Sequence, residues 1–299
     1  MLKNVKMNEK KFTPKLTADG SFTFYSPEFG ETFHSHFGAR QEAEYKFVLP
    51  VRLRSKAHRP IVRLLDVCYG LGYNSASALA AIWEVNPDCR VEWIGLEFDP
   101  EVPKAAIAHG LIDNWPDEIA AILRRLSNDC CLKNDKLSAN LLLGDARSTI
   151  QQVQKSGFQA DAIFLDPFSP PSCPQLWTVE FLGLVSSCLK SDGHLATYSC
   201  SAAVRAALIA AGLSVGSTTP VGRRSPGTVA SFWGDDLPKL SLKEEEHLLT
   251  RAAIPYRDPH LSNSPEAIIH RRQLEQQTSP LEATSHWKKR WCNSPSRKL

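Results

Sequence analysis

From about residue 61 the chain alternates short apolar runs with segments of helical period. Ile61–Cys68 reads as a buried strand, and Asn74–Glu84, alanine-rich with Leu79, Ile82 and Trp83, as the helix after it. Val91–Glu97 reads as a second strand, followed by a helix from about Glu101 to His109. Leu141–Leu143, Ala162–Leu165 and His194–Tyr198 continue the strands, with helices near Ser148–Lys155, Gln175–Leu189 and Ala202–Ala211. Ser214–Thr218 and Thr228–Phe232 form a closing pair joined by the Gly222-Arg223-Arg224 loop. This alternation predicts an α/β fold with a Rossmann-like, mostly parallel sheet of about seven strands, covered by helices on both faces.

Two regions depart from the pattern. Leu111–Ala139 reads as an insertion with a short helix at Asp117–Leu126 and a polar stretch at Asn128–Lys136. Before Ile61, Phe22–Phe29 and Tyr45–Pro50 read as strands of a small amino-terminal β element. Beyond Gly234 the residues turn charged and polar, predicting surface helices near Leu240–Ala252 and Pro265–Gln277 and then an irregular tail. The expected organisation is an amino-terminal element over 1–55, a Rossmann-like domain over 56–234 and a polar, partly helical extension over 235–299.

Composition narrows the classes. The chain of 299 residues is 42% apolar and 22% charged, ordinary for a soluble protein with a full core. No run reaches the roughly 18 to 20 apolar residues that a membrane helix needs, and the lysine-rich start lacks the apolar segment of a secretory signal. The expectation is a cytoplasmic protein that does not bind membranes. Eight cysteines include no C-x-x-C pair and no histidine at zinc spacing, so reduced thiols and no metal are expected. The net charge of +3 is polarised: residues 1–15 hold five lysines against one glutamate, and residues 270–299 seven Lys/Arg against two glutamates. Basic ends on an acidic body suit a phosphate backbone, although solubilising tails have the same composition.

The candidate chemistry collects at the carboxyl ends of the strands, where open α/β sheets bind ligands. The first strand ends in Asp66-Val-Cys-Tyr-Gly70-Leu-Gly72-Tyr-Asn74. Its two glycines permit a tight turn and close approach of a ligand, and Asn74 is a suitable helix cap. Many strand-to-helix turns carry two glycines for backbone reasons alone. Glu97, at the end of the second strand, suits the hydroxyls of a cofactor ribose. Ser75 replaces the third glycine of the dinucleotide fingerprint, which favours S-adenosylmethionine over NAD because the former has no pyrophosphate to cradle. Asp145, with Ala146 after it, can accept from an adenine amine or cap the next helix. The fourth strand delivers Asp166-Pro167-Phe168-Ser-Pro-Pro171, an acid, a proline and a ring that together can hold a substrate amine and exclude water.

These motifs resemble a class I S-adenosylmethionine-dependent methyltransferase. More narrowly, Asp166-Pro-Phe-Ser-Pro-Pro-Ser-Cys-Pro-Gln-Leu-Trp177-Thr178 is similar to the methyltransferase domain of the bifunctional tRNA 5-methylaminomethyl-2-thiouridine biosynthesis (MnmC) family. So are Leu195–Arg205, Gly222-Arg223-Arg224, and the upstream runs Phe29-Gly-Glu31-Thr-Phe-His34-Ser and Gly38-Ala-Arg-Gln-Glu42. The resemblance covers roughly residues 20–233 and implies methylation of an aminomethyl group on a wobble uridine in the tRNA anticodon. It implies Asp166 and Phe168 at the acceptor amine, and Asp66, Gly70, Gly72, Asn74, Glu97, Asp145 and Ala146 around S-adenosylmethionine. Pro167, Trp177, Arg223 and Arg224 are the candidate tRNA contacts, with simple core packing an equal alternative for Trp177. The family's FAD-dependent oxidase domain has no counterpart after residue 234, so no flavin is expected, and no obligate protein partner is evident. The last 65 residues match no part of that family. Three alternatives stay open: an N-methyltransferase for another nucleobase, one for a small amine, and a non-catalytic RNA-binding protein on the same fold.

Overall fold

Ile61–Val67 (β1) lies near the middle of a mixed eight-stranded sheet, in a computed structural model that describes residues 12–222 and 225–292. The other strands are Arg90–Glu97 (β2), Cys131–Lys133 (β3), Leu137–Leu143 (β4), Ala160–Leu165 (β5), Leu189–Thr197 (β6), Ser214–Ser217 (β7) and Thr228–Ser231 (β8). Their order is β7-β8-β6-β5-β1-β2-β4-β3. The five central strands are parallel and the pairs at both edges antiparallel. From β1 the chain winds outward through β2 to β4, then returns to the other side of β1 at β5. The switch point therefore lies between β1 and β5, where Val67 faces Leu165 in register.

The period-2 alternation of each strand distributes its side chains between two cores. Val62 and Leu64 of β1 face a core filled by Tyr73–Val85 (α1), Glu101–Ala108 (α2) and Asp117–Asp129 (α3). Leu65 and Val67 face the opposite core, filled by Ala146–Lys155 (α4), Val179–Ser187 (α5) and Ala202–Ala210 (α6). The amino-terminal segment joins the first core through Phe24, Phe47 and Val48. The carboxyl-terminal extension joins the second through Tyr256 and Ile268.

Several local expectations change. The insertion supplies the eighth strand: α3 runs three residues further than expected, and β3 pairs antiparallel with β4 at the sheet edge. Tyr45–Pro50 is not a strand. Ala43–Val48 is a π-helical turn that buries Ala43, Phe47 and Val48, a helical spacing hidden by strand-favouring residue types. Phe22–Phe29 splits into Phe22–Thr23 and Tyr25–Ser26, paired with Lys15–Leu16 and Glu31–Thr32. The single helix expected over Gln175–Leu189 is a 3₁₀ turn, Pro174–Trp177, and then α5, whose cap Thr178 accepts from the Phe181 N–H. Leu242–Leu248 (α7) and Pro265–Thr278 (α8) lie where helices are predicted, but the tail is not irregular: Thr284–Cys292 (α9) is helical.

Candidate active site

The loop after β1 turns through residues in the left-handed region: Cys68 (φ 71°), Gly70 (φ 58°) and Gly72 (φ 84°). Gly72 also has a packing reason, since a Cβ there would stand 2.7 Å from the Tyr69 hydroxyl oxygen. Gly72, not Asn74, caps α1. The Gly70 N–H donates to Glu97 Oε2 at 2.8 Å and the Asp99 N–H to Oε1 at 2.9 Å. The acid thus joins the ends of β1 and β2. Burial outweighs these hydrogen bonds and raises the Glu97 pKa to about 7.

Asp66 does not line the cleft. It is fully buried beneath the glycine loop, where the Ser75 hydroxyl donates to Oδ2 at 2.6 Å and Trp93 Nε1 donates to Ser75 Oγ at 2.9 Å. Its Oδ1 has no partner among the described residues, and burial raises its pKa to about 7. Proposed as a cofactor contact, it is instead a support beneath the turn. Asn74 is also redirected. From the first turn of α1 its Nδ2 donates to Asp166 Oδ2 at 2.8 Å, across the switch point.

The Asp166 N–H donates to Val67 O at 3.0 Å, which places the residue directly beside the glycine loop. The next carbonyls are both tied: Tyr198 donates to Pro167 O at 2.9 Å and Trp177 Nε1 to Phe168 O at 2.9 Å. Trp177 is fully buried, so it props the motif from behind and offers no face to a nucleobase. Phe168 belongs to an aromatic cluster, stacked on Phe29 at 4.2 Å between centroids and edge-on to Phe33 at 5.0 Å. Glu31, from the same amino-terminal hairpin, accepts from the Ser169 N–H (3.1 Å), the Ser169 hydroxyl and the Ser172 hydroxyl (2.7 Å). The upstream run Phe29–His34 thus packs on the Asp-Pro-Phe loop. Its residue types alone carried no sign of this.

Asp145 caps α4 by accepting the Arg147 N–H at 2.9 Å, and the Arg147 guanidinium adds contacts of 2.7 and 3.1 Å to Oδ2. Burial opposes ionisation there, but Arg147 outweighs it and holds the pKa down. Arg147 itself reaches into the carboxyl-terminal extension, to Asp258 Oδ2 (3.1 Å) and Asn263 O (3.0 Å).

Gly70, Glu97, Asp145, Ala146, Asp166, Pro167 and Phe168 share one cleft of about 1080 Å³, and Gly72, Asn74 and Trp177 stand behind its walls. Arg223 and Arg224 lie outside the described residues. The cleft fits an adenosyl sulfonium amino acid. Glu97 and Asp145 offer acceptors, Leu96 and Phe98 offer apolar surface, and Gln175 Oε1 is a buried acceptor with no partner among the described residues.

The fold and this rim define a class I S-adenosylmethionine-dependent methyltransferase. A family described as S-adenosyl-L-methionine-dependent methyltransferase matches residues 103–232. The MnmC2 protein of Aquifex aeolicus superposes with a TM-score of 0.79 at 38% identity, covering 90% of this chain and 86% of that one. The chain belongs to the family of the MnmC methyltransferase domain. The tRNA 5-methylaminomethyl-2-thiouridine biosynthesis bifunctional protein MnmC of Aromatoleum aromaticum is 32% identical over 215 residues, 66% of this chain and 32% of that protein. An uncharacterized protein, MJ0670, of Methanocaldococcus jannaschii is 29% identical over 266 residues, 86% of this chain and 70% of its own length. The chain therefore spans about a third of the bifunctional relative. The Aquifex match also corrects the expectation for the extension: 90% of 299 residues is about 269, more than the 234 that precede it.

Proposed function

We propose that this chain methylates the aminomethyl nitrogen of a modified wobble uridine in tRNA, converting 5-aminomethyl-(2-thio)uridine to its 5-methylaminomethyl form. The observation that carries the reading is Asp166, held by Asn74 at the switch point and roofed by Phe168, Phe29 and Phe33. When bound, S-adenosylmethionine supplies an electrophilic methyl group. Glu97 would take the ribose hydroxyls, Gly70 the close backbone approach, and Asp145 with Ala146 the adenine.

Asp166 accepts an N–H of the substrate amine and favours the developing positive charge on nitrogen. Asp166 would hold the amine with its lone pair turned toward the methyl group that S-adenosylmethionine would supply, and would take up the proton that the amine sheds. The aromatic roof keeps water from the acceptor, and the fixed carboxylate aims the nitrogen along the transfer line. A uridine flipped out of the anticodon loop reaches such a cleft, with Phe29 and Phe168 as the aromatic surface in place of Trp177. Pro167 lines the cleft beside them, and Arg223 and Arg224 remain candidates for backbone phosphates. The names of the bifunctional relatives support tRNA as the partner. Among the described residues, no helix is long and apolar enough to cross a membrane.

The test is methyl transfer from labelled S-adenosylmethionine to tRNA carrying 5-aminomethyl-2-thiouridine, followed by nucleoside mass spectrometry. The methylaminomethyl nucleoside is the expected product. A methyl group on adenine, cytosine or a free amine would replace this substrate, and no transfer with retained RNA binding would leave a non-catalytic module.

A further inference from the structure

The carboxyl-terminal extension reaches the cofactor end of the cleft through a chain of ion pairs anchored on a buried carboxylate. Asp258 is fully buried. It accepts from Arg147 Nη1 at 3.1 Å and from the Ser262 and Asn263 N–H groups at 3.2 Å each. Arg147 is the residue whose guanidinium holds Asp145. The same segment is fastened to the exit of the Asp-Pro-Phe loop: Val179 N–H donates to Tyr256 O at 3.1 Å, and Asp258 N–H and Arg257 Nε donate to Glu180 at 2.8 and 2.7 Å. From there the chain enters α8, whose first residues Pro265, Glu266 and Ile269 line the cleft alongside Asp145.

We propose that this extension is a working part of the cofactor site. The Asp145–Arg147–Asp258 relay fixes residues 256–269 against the rim, and Pro265 and Ile269 form the outer wall that seats the adenosine end of the ligand. The proposal rests on the reading of this rim as the S-adenosylmethionine site. Removing the ion-pair partner of a fully buried carboxylate is strongly destabilising, so Arg147 cannot leave Asp258 without disturbing the wall. Losing Asp258 likewise frees Arg147 to move and unfixes the Asp145 carboxylate that faces the ligand.

Calorimetric binding of S-adenosylhomocysteine and of 5′-methylthioadenosine, which lacks the amino-acid end, tests this on the full chain. Binding by the wild type establishes the cofactor reading, and its failure would sink that reading instead. Asp258→Asn should weaken both ligands by a similar factor, on the order of tenfold. Ile269→Ser, which leaves the relay intact but removes a partly buried side chain, should also weaken both in a protein that stays folded. Unchanged affinity in folded Ile269→Ser would overturn the proposal. So would a loss confined to S-adenosylhomocysteine.

Discussion

Asn74 and Asp166 meet across the switch point of the sheet, with Nδ2 of the first donating to Oδ2 of the second at 2.8 Å. The pair joins the glycine loop after β1 to the acceptor loop after β5, so one hydrogen bond aligns the two halves of the proposed reaction. Asn74 is 3% exposed and its Oδ1 has no partner among the described residues. The amide therefore acts here as a donor to the carboxylate.

Asp166→Ala should retain cofactor binding and lose methyl transfer. Asn74→Ala should lower kcat by about 10- to 100-fold through misplacement of the carboxylate, with little change in the KM for S-adenosylmethionine. Asn74→Asp should be worse than Asn74→Ala, because two carboxylates would then share a water-poor site. Single-turnover kinetics on modified tRNA separate these cases. Equal rates for wild type and Asn74→Ala would remove the positioning role.

Glu31 fastens the amino-terminal hairpin to the acceptor loop through Ser169 and Ser172. Each lost hydrogen bond of this kind contributes on the order of 1 kcal/mol. Glu31→Ala should therefore speed amide hydrogen exchange across residues 167–172 and slow methyl transfer, while the cofactor dissociation constant stays within about twofold of wild type. Exchange that accelerates uniformly along the chain would point to general destabilisation instead.

The central sheet and the acid rim were legible because both follow from short-range rules. Continuous apolar runs of strand length mark β1, β2 and β5, and a strand's end is where its ligand groups sit. What was hidden depends on contacts between distant residues. Glu31 finds Ser169 from 138 positions away and Arg147 finds Asp258 from 111. No local pattern in either segment specifies its partner. The ligand role considered for Asp66, and the stacking role weighed against core packing for Trp177, fail for a related reason. Their residue types suit a ligand, but each lies one layer behind the wall, and depth is not visible in a motif.

Asp66 gives the free protein a definite pH dependence. Its folded pKa, raised to about 7, exceeds the roughly 3.9 of an unfolded carboxyl, so the fold prefers the protonated form. That contribution is complete below about pH 4, declines as pH rises towards 7 and is absent above it. Glu97, also raised to about 7, has the same sign. His194 has the opposite one, because burial and then Lys56 lower its pKa. Asp66→Asn leaves Glu97 and His194 in place. Urea unfolding at pH 5 and pH 8 should therefore show the wild type losing more stability than Asp66→Asn, by on the order of a few kcal/mol. Parallel losses would mean that Asp66 is ionised in the fold at both values.

Trp177 separates a prop from a stacking surface. Its Nε1 donates to Phe168 O, and its ring meets Tyr198 edge-on at 6.2 Å, while Tyr198 in turn holds Pro167 O. Trp177→Phe keeps an aromatic ring but removes the donor and leaves a void in a filled core. A prop should then cost about 2 kcal/mol of stability, combining a lost hydrogen bond with a small cavity. The fixed geometry of Phe168 should loosen with it, lowering kcat. A stacking surface should cost affinity for tRNA and spare stability, since the phenyl ring can still stack. Denaturant unfolding and tRNA binding measured on the same variant distinguish the two. With Trp177 fully buried, the expected result is lower stability with tRNA affinity unchanged, and the reverse would place the indole in the substrate path.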